Sequence, residues 1–325
     1  MLGLAAPDKF RGSATARDVA RAVSAGLARC GWDARGTPLA DGGEGTLDAF
    51  GGPNRHSVVS GPLGLAVEAA WRLENRVAVI EAARASGLDL TGGARGNDPL
   101  RASTRGTGEL IAAALAAGAE RVIVGVGGSA STDGGLGAIE ALGAERFPIP
   151  VQVACDVRTP FLDAASVFGP QKGASSNDVR ALTERLRALA ERYRKEFGVD
   201  VTGVTSAGAA GGLAGGLAAL GAELVPGFDF IAGRIGLDDA IAAADLVVTG
   251  EGKLDATSFA GKVVGGVIAA CERLETAVLV IAGEIAAGTV CPVPAVSLIE
   301  RFGRDEAWSR TTGCVSDVVA AYVQA

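Results

Sequence analysis

The sequence predicts an α/β fold in which buried parallel strands alternate with helices. In three stretches an apolar run of strand length breaks into a loop rich in glycine or charge, and a helical pattern follows, which is the order of elements in an open α/β sheet. These stretches are 2–27, 122–142 and 245–273. The chain has 325 residues, more than a typical single domain, so two domains are expected. The βαβ pattern near the C-terminus matches that near the N-terminus, so we expect one domain to be assembled from both ends of the chain.

Composition excludes several classes of protein. The net charge of −7 gives no general attraction for nucleic acid or an anionic membrane. No apolar run reaches the roughly 18 residues of a membrane-spanning helix, and the apolar run at the N-terminus is too short for a signal peptide. The five cysteines lack CxxC spacing, which is typical of a reduced, cytoplasmic protein. With His56 as the only histidine, set in a polar stretch, we expect chemistry based on carboxylates, Lys, Arg and backbone amides.

The stretch Val122–Gly135, VIVGVGGSASTDGG, predicts an anion-binding loop after a buried strand. Glycines let backbone N–H groups approach a ligand, and Gly127, Gly128 and Ser129 would cradle phosphate. Asp133 follows them, and a carboxylate beside a phosphate indicates Mg²⁺ between the two. The segment GVGGSA also matches the loose GxGxxA pattern of dinucleotide sites, and a tight turn without a ligand is the simpler alternative.

Two loops near the N-terminus carry charges where strands end. Asp8, Lys9 and Arg11 follow the strand 2–6, ahead of a helix with Thr15 and Asp18 at capping-box-like spacing. Ligands bind at the carboxyl ends of strands in open α/β sheets, although such loops also hold ordinary solvated charges.

The second loop, 40–46 with the sequence ADGGEGT, follows a short strand at 35–39. Its Asp41 and Glu44 could hold a metal or a polyol, and a bland glycine-rich turn is the alternative. The two loops would face one crevice if their strands are neighbours.

The middle of the chain has a different pattern. From 57 to 82 apolar and polar residues tend towards alternation, a period of two that predicts strands. This change of pattern predicts a domain boundary near Gly61.

Asp156 follows a strand at 151–154, where a base or metal ligand is well placed. Lys172 lies in a polar turn and suits a phosphate as a point charge. A strand at 245–249 is followed by a predicted loop, GEGKLD, and the absence of GxxxxGK[ST] excludes a P-loop kinase.

Eight motifs in order resemble the type 1 glycerate kinases. They are APDKFRGS (6–13), ADGGEGT (40–46), GTGE (106–109), GVGGSASTDGG (125–135), ACDV (154–157), FGPQKGA (168–174), GAAGGL (208–213) and VTGEGKLD (248–255). The resemblance implies ATP-dependent phosphorylation of D-glycerate to 2-phosphoglycerate with Mg²⁺. It also implies two unlike α/β domains, one of them Rossmann-like with a parallel sheet and discontinuous in sequence, with the active site in the cleft between them. We place the Rossmann-like domain at 1–60 and 240–325 and the second domain at 61–239.

Phosphoryl transfer needs charge neutralisation, in-line positioning and a proton acceptor, and these needs give the residues of the motifs expected roles. The catalytic candidates are Asp8, Lys9 and Asp156. The substrate-binding candidates are Asp41, Gly42, Gly43, Glu44 and Lys172. The nucleotide- and phosphate-binding candidates are Gly127, Gly128, Ser129, Glu251 and Gly252. The metal ligands are Asp133 and Asp156, and the choice of base between Asp8 and Asp156 is left open.

The chain departs from the family pattern in places. The connector 144–150 is shorter than the segment the family usually has there, and Lys253 stands where arginine is more frequent. A non-catalytic glycerate or nucleotide sensor derived from such a kinase is therefore one alternative, and a nicotinamide-dependent dehydrogenase is another. The expected partner is the small-molecule substrate, with a homodimer left open.

Overall fold

A computed structural model describes residues 1–10, 12–143, 146–259 and 261–324. Arg11 of the first charged loop and Glu145 of the connector lie outside these residues. The chain divides into two compact units, Met1–Asp41 together with Phe228–Ala325, and Gly42–Gly227.

The strands are β1 (Leu2–Ala5), β2 (Asp33–Gly36), β3 (Arg55–Ser60), β4 (Ala66–Glu74), β5 (Val77–Glu81), β6 (Arg121–Gly125), β7 (Val151–Cys155), β8 (Glu223–Pro226), β9 (Leu246–Leu254), β10 (Ala277–Ile285) and β11 (Ala295–Ser297).

The helices are α1 (Ala16–Ala28), α2 (Thr46–Ala49), α3 (Ala83–Ser86), α4 (Arg105–Ala116), α5 (Leu136–Leu142), α6 (Ala164–Phe168), α7 (Ser176–Phe197), α8 (Leu213–Ala219), α9 (Gly227–Ile235), α10 (Leu237–Ala242), α11 (Val263–Arg273), α12 (Leu298–Phe302), α13 (Arg304–Ser309) and α14 (Thr311–Gln324). Within the described ranges, no helix is long and apolar enough to cross a lipid bilayer.

The first unit is a parallel sheet covered on both faces. Its strand order is β11-β10-β9-β1-β2, and every pairing is parallel. Successive side chains of a strand point to opposite faces. Accordingly, Leu246 and Val248 pack in a core with α1 and α14, whereas Val247 packs in a second core with α10 and α11. This doubly covered sheet confirms the Rossmann-like domain built from both chain ends.

The second unit has a mixed sheet with the order β3-β4-β5-β6-β7-β8. The strands β3, β4 and β5 pair antiparallel, and β5 to β8 pair parallel. Its main core joins the sheet to α4 and α8. The two units are therefore α/β folds of different topology, as expected.

The boundaries between the units differ from those we expected at 60 and 240. Strand β3 belongs to the second sheet, with Arg55 opposite Trp71 of β4, so the shift to a period of two marks a hairpin inside one unit. At the other boundary, Phe228 at the start of α9 packs in the core of the first unit with Leu237 and Val267. The two compact units divide after residues 41 and 227.

The segment Gly250–Leu254 is strand rather than the predicted loop. It continues β9 and pairs with β10, with Glu251 opposite Ala282 and Lys253 opposite Glu284. A Cβ atom on Gly250 would lie 1.8 Å from the carbonyl oxygen of Ile281. The glycine there allows two backbones to approach closely, a use of glycine that sequence alone does not distinguish from a turn.

Candidate active site

Three of the predicted carboxylates come together in the first unit, at the carboxyl end of its sheet. Asp8 follows β1, and its N–H donates to the carbonyl of Gly250 in β9 at 2.9 Å. The chain after β2 runs beside the end of β1, because the N–H of Leu39 donates to the carbonyl of Pro7 at 2.9 Å. Asp41 and Glu251 therefore lie near enough to Asp8 to act on its charge.

The environment of Asp8 favours its protonated form. Burial raises the pKa of Asp8 to about 7, and the negative charges of Asp41 and Glu251 act in the same direction. Lys9 opposes them, since its Nζ lies 3.5 Å from Asp8 Oδ1 and its backbone N–H donates to the same oxygen at 2.7 Å. A carboxylate that exchanges its proton near neutral pH is suited to act as a general base.

Glu251 is a second perturbed carboxylate of this cluster. Burial raises its pKa, with Asp255 and Asp41 contributing, while the Ser258 hydroxyl and Lys262 oppose the shift. Its Oε1 is buried and has no hydrogen-bond partner among the described residues. Glu251 therefore has an oxygen available to a cation or a hydroxyl group.

We predict a pH dependence of stability that originates in Asp8. Its folded-state pKa of about 7 lies above the ordinary aspartate pKa of 3.8, so between these pH values the folded protein holds a proton that the unfolded chain has lost. The contribution of Asp8 to stability is therefore present at low pH and lost as pH rises towards 7. Thermal unfolding without ligand should show the Asp8→Asn variant gaining stability relative to wild type from about pH 4 to 7. A difference that stays constant with pH would contradict this assignment.

Gly252 lies in a strand rather than in the predicted loop. It lies in β9, and a Cβ atom on Gly283 of the neighbouring strand would lie 2.5 Å from the Gly252 carbonyl oxygen. Its position reflects the close approach of β9 and β10, so the structure does not favour the predicted phosphate contact there.

In the second unit, two glycine-rich loops pack directly on each other at the carboxyl edge of the sheet. The N–H of Gly127 donates to the carbonyl of Gly42 at 3.3 Å. A Cβ atom on Gly127 would lie 2.5 Å from Gly43 Cα, and one on Gly42 would lie 2.4 Å from the carbonyl oxygen of Ala154. The predicted glycines at 42, 43 and 127 are thus brought together, and they permit a contact between backbones.

Glu81, which no sequence motif indicated, anchors the loop that carries Gly42 and Gly43. It ends β5 with 1% exposure, and its Oε1 accepts hydrogen bonds from the N–H groups of Gly45 at 2.9 Å and Leu47 at 2.8 Å. Its Oε2 accepts a hydrogen bond from Arg84 at 3.0 Å. The only available signal was a carboxylate directly after the apolar run 77–80, the same signal that identified Asp156.

The loop after β6 differs from a dinucleotide-binding turn. Helix α5 begins only at Leu136, so the GxGxxA pattern at 125–130 does not open a helix, as the dinucleotide motif requires. The N–H of Gly127 is already used internally, whereas Gly128 is exposed with a φ of 73°. Of the predicted phosphate cradle, Gly128 and Ser129 remain candidates.

Lys172 is buried beneath this loop rather than exposed in a polar turn. It is 3% exposed, and its Nζ donates to Ser129 Oγ at 2.9 Å and to the carbonyl of Ser131 at 2.6 Å. Burial lowers the pKa of Lys172 to about 7, and the negative charge of Asp133 opposes that shift. The side chain therefore supports the loop from inside, and the predicted direct contact with substrate is not favoured by this burial.

Asp133 has a structural environment that does not favour the predicted metal role. Its Oδ2 accepts from the N–H and the hydroxyl of Thr104, at 2.8 and 2.9 Å, and from the N–H of Gly137 at 3.2 Å. Its Oδ1 accepts from the N–H of Gly135 at 3.1 Å. These donors fill the acceptor capacity of Oδ2 and leave Oδ1 with one further lone pair, so Asp133 mainly ties the start of α4 to the start of α5.

We predict that Asp133→Ala mainly destabilises the second unit. Several buried donors would lose their acceptor, at about 1–3 kcal/mol each, so the free energy of unfolding should fall by about 3 kcal/mol or more. Urea unfolding of this variant, with the exposed Asp163→Ala as control, measures the effect. Unchanged stability together with a lost response to Mg²⁺ would restore the metal role.

The remaining predicted residues fall in both units. Asp156 follows β7, and its Oδ1 accepts from the N–H of Gly227 at 2.9 Å, which fixes the direction of the carboxylate. Glu44 is exposed on the loop that Glu81 anchors. Among the described residues, no group of three or more His, Cys, Asp or Glu side chains is arranged to hold a metal ion.

Comparison with known proteins agrees with the predicted family. The profile described as "Glycerate kinase family" matches residues 4–148 and 147–296, two segments that meet inside the short connector. Glycerate 2-kinase of Escherichia coli K12 is 39% identical over 322 residues, covering 86% of this chain and 84% of the relative. Glycerate kinase of Halalkalibacterium halodurans is 39% identical over 325 residues, covering 87% of this chain and 85% of the relative.

The fold agrees with the same family. A crystal structure of a Salmonella typhimurium LT2 protein assigned as glycerate kinase 2 superposes with a TM-score of 0.82 at 34% identity, covering 100% of this chain and 98% of that one. The dehydrogenase alternative finds no support in these relatives. The chain belongs to the glycerate kinase family and is an enzyme, a glycerate kinase.

Proposed function

We propose that this enzyme transfers the γ-phosphoryl group of ATP to the 2-hydroxyl of D-glycerate and releases 2-phosphoglycerate and ADP. The observation that carries the proposal is the half-buried carboxylate cluster of Asp8, Asp41 and Glu251. The chain that contains it has glycerate kinases as relatives. The position of phosphorylation follows the E. coli relative, whose name specifies a 2-kinase. We further propose that the enzyme works in the cytoplasm.

In this proposal Asp8 is the general base. Phosphoryl transfer requires a group that accepts the proton of the attacking hydroxyl. A carboxylate with a pKa of about 7 is ionised in a large fraction of molecules at neutral pH and is a stronger base than an ordinary aspartate. Lys9, whose Nζ lies 3.5 Å from Asp8 Oδ1, supplies positive charge beside the base and could also pair with a substrate anion.

The residues fit a magnesium ion of the kind that accompanies a nucleotide. Mg²⁺ prefers oxygen ligands and is usually held by one or two carboxylates together with substrate phosphates and water, so no cage of three carboxylates is needed. Glu251 is the first candidate because its buried Oε1 lacks a hydrogen-bond partner in the described part of the chain. Asp156 is the second, because Gly227 fixes its direction. When bound, the ion would neutralise charge on the phosphates.

For the substrate, we propose that Asp41 and Glu44 bind the hydroxyl groups of glycerate. Carboxylates accept hydrogen bonds from hydroxyls, and Asp41 belongs to the cluster of the proposed base. In the second unit, Gly128 and Ser129 would contact an anionic group of a substrate.

A coupled assay of ADP release tests this proposal. Turnover should require D-glycerate, ATP and Mg²⁺ together, and omission of any one should abolish it. No ADP release, combined with a raised melting temperature on addition of D-glycerate alone, would contradict the proposal and indicate the sensor alternative.

A further inference from the structure

The buried pair of Lys172 and Ser129 has a defined hydrogen-bond polarity. In its charged form, which a nearby anion favours, a lysine only donates, whereas a serine hydroxyl has one hydrogen to donate and two lone pairs to accept with. Lys172 Nζ lies 2.9 Å from Ser129 Oγ, so the serine oxygen is the acceptor. The hydroxyl hydrogen of Ser129 must therefore point elsewhere, and it has no acceptor in the ranges that the structure describes.

The lysine is held firmly in this position. Its second hydrogen bond, 2.6 Å long, goes to the carbonyl of Ser131. Asn97 Nδ2 bridges the carbonyls of Lys172 and Ala130, at 2.9 and 3.0 Å, and so joins the lysine's backbone to the loop. Among the described residues, no carboxylate lies within ion-pair distance of Lys172 Nζ, and Asp133 acts on its charge from a greater distance. The direct contacts of Nζ are with Ser129 and the loop.

The loop also holds more hydrogen-bonding capacity than the described part of the protein uses. Ser131 Oγ, Thr132 Oγ1 and Asn97 Oδ1 are buried polar atoms without a hydrogen-bond partner among those residues. Ser129 itself is 6% exposed and follows the exposed Gly128, so it lies where the buried loop reaches the surface. Unused capacity of this kind is a feature of sites that receive a polar ligand.

We propose that Lys172 is a positioning residue that acts through Ser129: it directs the Ser129 hydroxyl to donate to an anionic oxygen of a substrate. The positive charge behind the serine also strengthens that donation, since hydrogen bonds involving charged groups are the stronger ones. The anionic oxygen belongs either to the nucleotide phosphates or to the glycerate carboxylate, which share this chemistry. The inference rests on the proposed function and goes beyond it, because it assigns Lys172 an indirect role.

Steady-state kinetics of single and double variants test the inference. Ser129→Ala and Lys172→Met should each raise the KM of one substrate by about 10- to 100-fold with a smaller effect on kcat, the expected cost of a charge-assisted hydrogen bond. A rise in the KM of ATP assigns the oxygen to phosphate, and a rise in the KM of D-glycerate assigns it to the carboxylate. The KM of the double variant should be no higher than that of the more impaired single variant, because both substitutions remove the same interaction.

The controls separate this role from a structural one. The exposed Ser166→Ala and Lys195→Met should behave as wild type. Calorimetric titration with ADP and with D-glycerate should show the same loss of affinity in Ser129→Ala and Lys172→Met, and it requires no turnover. A wild type that binds both ligands but has no activity would therefore contradict the proposed function and leave this inference standing. Additive effects in the double variant would contradict the inference. If Lys172→Met does not fold, unchanged affinities of Ser129→Ala for both ligands would still overturn it.

Discussion

The Asp8→Asn variant is expected to lose activity by about 10²- to 10⁴-fold in kcat, the range that a general base contributes. The amide is nearly the same size as the carboxyl and can still accept the 2.7 Å hydrogen bond from the Lys9 N–H, so the fold should persist. It cannot accept the proton of the attacking hydroxyl. Wild-type kcat/KM should rise with pH around 7 as Asp8 ionises, and the residual activity of the variant should lack this rise.

A matched control isolates the role of Asp8 from a general effect of charge. Asp239→Asn makes the same chemical change at an exposed position of the first unit and should leave kcat and its pH profile unchanged. Circular dichroism checks the fold of both variants. Near-wild-type turnover by folded Asp8→Asn would show that another group, with Asp156 the next candidate, accepts the proton.

The Gly127→Ala variant is expected to lower kcat/KM by about 100-fold, because misplacement of binding groups by about 1 Å can have an effect of that size. The added methyl group would lie 2.5 Å from Gly43 Cα, a backbone atom that cannot rotate away. The loops carrying Gly42 and Gly128 would have to separate, which also costs about 1–3 kcal/mol of stability. Kinetics and thermal unfolding of the same preparation measure both effects.

Gly203→Ala provides the control for this substitution. A Cβ atom at Gly203 would meet no other atom within 4 Å, and its φ is not positive, so the same change should be tolerated there. Wild-type activity in Gly127→Ala would mean that the packing of the two loops does not position groups needed for the reaction.

The carboxylate cluster of the first unit could be predicted from sequence because its residues follow a general rule. Asp8 follows an apolar strand pattern and Asp41 follows a predicted short strand, which the structure has at Asp33–Gly36, and ligands of open α/β sheets bind at the carboxyl ends of strands. The strands β1 and β2 are indeed neighbours, as consecutive βαβ strands usually are. Glu251 was predicted in a loop after the strand at 245–249, and although its segment is strand, it lies near Asp8.

The roles of Asp133 and Lys172 could not be predicted, because they depend on residues distant in the chain. Asp133 is satisfied by Thr104, which lies 29 positions away, and Lys172 meets Ser129 across 43 positions. Sequence shows a carboxylate and a lysine in polar, glycine-rich segments, a pattern that fits ligand binding as well as internal support. Only the tertiary hydrogen bonds distinguish the two.

The central claim, phosphorylation of the 2-hydroxyl of D-glycerate by ATP, is tested most directly by supplying the product to enolase. The reaction mixture contains the enzyme, D-glycerate, ATP and Mg²⁺, and no phosphoglycerate mutase. We predict that phosphoenolpyruvate forms directly and in proportion to ADP, because enolase converts 2-phosphoglycerate to phosphoenolpyruvate in a reversible dehydration. Formation that requires added mutase would show phosphorylation at the 3-hydroxyl and would contradict the claim.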